Sequence, residues 1–100
     1  MLKILKVSGH SLHPAYQDGD FVVIATLPIL FASLRPGDVI VFDHPVYGRL
    51  IKRIDWVEEG GQRLFVMGEQ ENSIDSRAFG PIRRQWVQGK VIWHIARRPA

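Results

Sequence analysis

Two turns in the first forty residues constrain this chain more than any other feature. Gly19-Asp20 is followed at once by FVVIA, and Arg35-Pro36-Gly37-Asp38 by VIVFD. In each, a residue that tolerates positive φ delivers the backbone into a run of β-branched and aromatic side chains. Such residues fit a pleated surface and crowd a helix. Gly60-Gly61 divides LIKRIDWVE from QRLFVM in the manner of a hairpin. The last apolar segment, WVQGKVIWHI, carries Gly89, where a bulge or sharp bend is expected. Helical periodicity is scarce, with room for a turn or two only in ILFAS and HPAYQ. This punctuation predicts a mainly β fold: one compact domain over residues 1–100, with a coiled or barrel-like sheet and little helix.

Composition narrows the function. A hydrophobic fraction of 46% suits a folded globule and argues against disorder. The absence of cysteine removes a disulfide scaffold, a thiol nucleophile and a thiolate metal site. The net charge of +3 is mild and falls largely on Arg83, Arg84, Lys90, Arg97 and Arg98, a solubilising end for which no nucleic-acid partner is expected. The most apolar stretch, residues 21–34, is shorter than the roughly 20 residues of a spanning helix and is interrupted by Pro28. MLKILKVSG has neither the apolar core nor the cleavage site of a secretory signal. His10 and His13 supply two imidazoles without an apparent third ligand, so neither metal nor cofactor is expected. His44 and His94 read as ordinary strand or loop residues.

Three short blocks carry possible chemistry. In Ser8-Gly9-His10-Ser11-Leu12-His13-Pro14, Ser11 lies just past a strand. Gly9 before it permits close backbone approach, and Pro14 after it stiffens the loop. In Arg49-Leu50-Ile51-Lys52-Arg53-Ile54, strand alternation sets Leu50, Lys52 and Ile54 on one face and Arg49, Ile51 and Arg53 on the other. A lysine on the more apolar face loses hydration, which disfavours the ammonium and makes the amine a base nearer neutral pH. The alternative is an edge lysine whose stem packs while its head reaches water. In residues 68–80, GEQENSIDSRAFG, a structured loop is expected, with Asp75 paired to Arg77 and the Ser73 hydroxyl on the lysine amine.

In this order the blocks resemble the boxes of the type I signal peptidase family, over about residues 7–93. The resemblance implies a signal-peptidase-like β domain and a serine endopeptidase that cleaves extended substrates after a small residue. It makes Ser11 the nucleophile, Lys52 the general base and Ser73 the residue that orients the lysine. Asp75 and Arg77 brace the loop, while Val7, Gly9, Leu12, Leu50 and Ile51 fall at substrate-binding positions. Gly9 stands where some members place an extra oxyanion-hole serine, and Leu12 stands where methionine is usual. The run from Gly68 to Ser73 is one residue shorter than in the family pattern.

Short soluble members, similar to the maturation protease of nickel-type superoxide dismutase, point to removal of an N-terminal leader or propeptide in the cytoplasm. The alternative location is the extracytoplasmic face of a membrane, with peripheral contact through Pro28-Ile29-Leu30-Phe31. Two competing readings are a self-cleaving repressor-type Ser/Lys domain and a non-catalytic β-barrel binding module.

Overall fold

The computed structural model describes residues 1–9, 12–26 and 34–96. Its strands are β1 (Leu2–Lys6), β2 (Phe21–Ala25), β3 (Val39–His44), β4 (Gly48–Val57), β5 (Arg63–Met67), β6 (Ile82–Arg83) and β7 (Val87–Ile95). They form one sheet in the order β1-β2-β7-β3-β4-β5-β6, antiparallel at every junction. The expected mainly β fold with little helix is what the chain adopts.

The two Gly-Asp turns work alike. Gly19 and Gly37 take φ of 92° and 94°, and the aspartate after each folds back on its own turn. Asp20 Oδ2 accepts from the Gln17 N–H at 2.9 Å, and Asp38 Oδ2 from the Arg35 N–H at 3.0 Å. Each turn therefore satisfies its own backbone while starting a strand. Gly60 and Gly61, both at positive φ, close the β4–β5 hairpin.

Alternation along β3 divides the core in two. Ile40 and Phe42 point to one side, with Ile54, Leu64, Val66, Ile82 and Val87. Val41 points to the other, with Val7, Val22 and Ile24. Residues 39–42 are all buried, which is why VIVF reads as an unbroken apolar run rather than an alternating one.

Two local expectations change. The bulges in β7 flank Gly89 instead of falling on it. Val41 pairs with Gly89 and Phe42 with Val87, leaving Gln88 extra; Val23 pairs with Trp93 and Ile24 with Val91, leaving Ile92 extra. Gly89 itself is required by crowding, because a Cβ there would sit 2.6 Å from Ile24 Cδ1 and 3.0 Å from the Ala25 carbonyl oxygen. Within residues 68–80, read as a loop, lies a short helix, α1 (Ser76–Phe79), capped by Asp75 and ended by Gly80 at φ 78°. HPAYQ makes one turn, through the Tyr16 N–H donating to the Leu12 carbonyl at 2.9 Å; ILFAS and the Pro28 stretch lie outside the described residues. Among the described residues no helix is long and apolar enough to cross a membrane, and no group of three or more His, Cys, Asp or Glu is placed to hold a metal.

Gly89→Ala is expected to destabilise the fold by about 1–3 kcal/mol, because the added methyl meets backbone as well as a side chain. A urea titration with an unchanged midpoint would show that β2 yields at no cost.

Candidate active site

Lys52 lies on β4 opposite Ile40 of β3, on the strand face it shares with Leu50 and Ile54, and is only 3% exposed. The sequence expectation of a lysine on the apolar face is met. Burial lowers its pKa from the ordinary lysine value; the nearby Asp75 carboxylate pulls the other way and the Arg77 guanidinium adds to the lowering. Loss of hydration is the strongest of the three influences, so more of the amine is neutral, and able to accept a proton, near neutral pH than in a free lysine.

Asp75 is fully buried and accepts five hydrogen bonds. They come from the Gly68 N–H at 2.8 Å, the Ser73 hydroxyl at 3.0 Å, the Arg77 N–H at 3.0 Å, and Arg77 Nε and Nη2 at 3.0 and 2.8 Å. Burial alone would raise its pKa. The bonds from Arg77, Gly68 and Ser73 outweigh burial and hold it at about 2. The expected Asp75–Arg77 pair is thus formed, and the carboxylate gathers the loop around itself. Ser76 adds a further anchor, its Oγ accepting from the Val66 N–H of β5 at 2.8 Å.

Ser73 departs from expectation. Its hydroxyl lies 3.0 Å from Asp75 Oδ2 and 3.0 Å from the Gln70 carbonyl oxygen, and it does not hydrogen-bond the Lys52 amine. The hydroxyl serves the Asp75 network, and the charges that bear on Lys52 are those of Asp75 and Arg77.

The first block is held from several directions. The Val7 N–H donates to the Asp20 carbonyl at 2.7 Å, and the Gly9 N–H to Asp18 Oδ1 at 2.9 Å. Leu12 is 1% exposed, and Gln70 Nε2 donates to the His13 carbonyl at 2.6 Å across 57 residues of sequence. That bond ties the first block to the third. Ser11 and His10 lie outside the described residues.

Between β1 and the first half of β4 runs a cleft of about 480 Å³. Val7, Gly9, Leu50, Ile51 and Lys52 line it, and Leu5, Val22, Val41 and Ile74 complete its apolar walls. β1 is an end strand of the sheet, and β5 joins β4 only from Arg53 onward, so the cleft-side half of β4 pairs with β3 alone among the strands. Two strand edges facing an apolar slot suit an extended peptide. Leu12 is the exception among the expected substrate-binding residues. It is absent from the lining and is buried in the protein instead.

A family model described as Peptidase S24-like matches residues 1–92. The chain belongs to the Peptidase S24-like family. Membership gives it a Ser/Lys protease-type domain, the chemistry to which the buried Lys52 already points. No curated protein matches the chain. One feature of this S24-like domain had no sequence signal. His94 Nε2 lies 2.7 Å from Oδ2 of Asp20, which is 2% exposed, and the His94 ring stacks on Tyr16 at 4.3 Å. This contact fastens the far end of the segment that contains Ser11. A lone histidine 74 residues from its partner cannot announce it.

Two stability measurements test these assignments. A carboxyl whose folded pKa is depressed adds stability that is present above its unfolded value and is lost as pH falls through the folded one. Asp75 therefore contributes about 2 kcal/mol above pH 4, lost between pH 4 and about 2. Asp75→Asn should be less stable than wild type at pH 7, and the gap should close in acid. Lys52 has the opposite effect, since a lysine with a lowered folded pKa costs stability at neutral pH and nothing above its unfolded pKa. Lys52→Met should be more stable than wild type at pH 7, and the gain should shrink as pH rises through the lysine range. A melting temperature for Lys52→Met below that of wild type at pH 7 would contradict the burial cost.

Proposed function

We propose that the chain is a serine endopeptidase that removes an N-terminal leader or propeptide, cutting after a small residue. The observation that carries this reading is a lysine 3% exposed in the wall of an apolar cleft, in a member of a peptidase family. A buried, unhydrated amine at that place is costly for a mere scaffold and useful for accepting a proton.

In the proposed mechanism the substrate lies extended in the cleft, added as a strand against β1 and the first half of β4. The neutral Lys52 amine takes the proton from the Ser11 hydroxyl as its oxygen attacks the scissile carbonyl. Backbone N–H groups, that of Ser11 among them, receive the developing oxyanion. The Lys52 ammonium returns the proton to the departing amine, leaving an acyl-enzyme. Water, deprotonated by the same amine, then releases the shortened peptide. Asp75, Arg77 and Ser73 act as positioning residues, fixing the loop whose carboxylate faces the lysine.

The type I signal peptidases and the soluble proteases that mature nickel-type superoxide dismutase are the finer resemblance we favour. They imply a protein client with a leader, and cytoplasmic processing. The dyad rests on a residue pattern in which Ser11, Lys52 and the Asp75 loop occur in the family's order.

Cleavage of leader peptides by wild type, Ser11→Ala and Lys52→Met tests the proposal. Each substitution should lower kcat/KM by about a thousandfold or more, because dyad members act as a unit. The rate should rise with pH through a midpoint below the ordinary lysine value, since the neutral amine is the active form. Equal cleavage by all three proteins would remove the dyad. Peptide binding without cleavage, indifferent to Ser11→Ala, would favour a non-catalytic β-barrel binding module.

A further inference from the structure

The cleft's longer wall ends in a charge. Strand register puts Ile51 beside Val41 and Arg49 beside Asp43, so Arg49 lies on the same face as Ile51, two residues further along. Ile51 and Val41, together with Leu5 and Val22, make the apolar wall, and Arg49 lines the same cleft. Along a strand, side chains on one face recur every ~6.6 Å. An extended substrate lying against β4 has the same repeat. When one of its side chains fills the Ile51 wall, the side chain two residues away arrives at Arg49.

Arg49 is held ready for such a meeting. Its Nε donates to Asp43 Oδ1 at 3.1 Å, and that is the only hydrogen bond of its side chain among the described residues, so Nη1 and Nη2 have no partner there. The two side chains are 56% and 43% exposed. An ion pair this open is worth little and exchanges readily, so it yields to a competing carboxylate at small cost. A planar fork presented edge-on receives a carboxylate through two parallel N–H bonds, which a lysine cannot do.

From this geometry we infer that Arg49 is a specificity-determining residue that selects substrates with an Asp or Glu two residues from the side chain seated against Ile51 and Val41. The inference rests on the endopeptidase reading and adds the class of substrate: an extended peptide pairing an apolar or small anchor with an acidic neighbour at i±2. Asp43 offsets part of the guanidinium charge, so the selection is moderate: a basic residue at the same position meets Arg49 head-on, while an acidic one takes the Nη1 and Nη2 donors that Asp43 does not use.

The test uses the whole chain and fluorogenic decapeptides of Ala, Val and Ser, with a single Asp, Asn or Lys moved along the sequence. Wild type should show one position at which kcat/KM for Asp exceeds that for Lys by roughly two- to fivefold, as expected of an exposed pair. The ratio should fall towards one in 1 M salt, where the Debye length is about 3 Å. Arg49→Gln should bring the ratio at that position close to one, and Arg49→Glu should invert it. Comparing Asp with Lys within each variant keeps the readout independent of any change in overall rate. If wild type cleaves the set with no acid-preferring position, or Arg49→Glu keeps the wild-type ratio, the inference fails and the endopeptidase reading stands. If wild type cleaves none of the peptides, the endopeptidase reading fails and the inference goes with it.

Discussion

A carboxylate with no exposure to water organises the working end of this protein. Burying Asp75 in isolation would be prohibitive, and the chain meets that cost with five donors drawn from Gly68, Ser73 and Arg77. Those donors come from both sides of the 68–80 segment, so the loop and α1 have one arrangement that satisfies the charge. The neighbouring Lys52 then sits in a place where two effects oppose. Apolar surroundings strip its hydration while the aspartate supports its charge, and the former is stronger. Without Asp75 the amine would be driven further from its ammonium form. With the carboxylate nearby, part of that loss is offset.

Much of the fold was legible in the sequence because its signals are local. The Gly-Asp turns, the Gly60-Gly61 hairpin and the β-branched runs depend on neighbours within a few residues. The face on which Lys52 lies follows from alternation alone. What escaped were features that need the third dimension or too few residues to show a period. α1 is four residues long, shorter than any helical repeat can register; only Asp75 and Gly80 at its ends mark it. The bulges in β7 arise from fitting one strand between two partners of differing register, so they settle at Gln88 and Ile92 while Gly89 answers to packing. Leu12 followed the resemblance to a pocket position, but it is buried in the protein and does not line the cleft.

The site divides in the same way. Asp75 pairs with Arg77 two residues away, within reach of sequence reasoning. Ser73, expected on the lysine amine, places its hydroxyl on Asp75, two residues away, and on the Gln70 carbonyl, partners that a residue pattern does not specify. His94 looked unremarkable, and its contact with buried Asp20 joins the last strand to the end of the Ser11 segment. Long-range pairs of this kind leave no periodic trace, and they are what holds a loop in place when its own sequence is short and polar.

The position of β7 has a consequence for synthesis. Although last in sequence, it lies in the interior of the sheet, with β1-β2 on one side and β3-β4-β5-β6 on the other. Asp20 of the first turn reaches it through His94, and Asp38 of the second through Lys90 at 3.2 Å. Until residues 87–95 leave the ribosome, the two halves of the sheet have no common strand, and the walls of the cleft, one from each half, stay apart. Ordering therefore waits on the most distant contacts in the chain, which form slowly and late. A hydrolase assembled this way has no closed cleft until those residues have emerged.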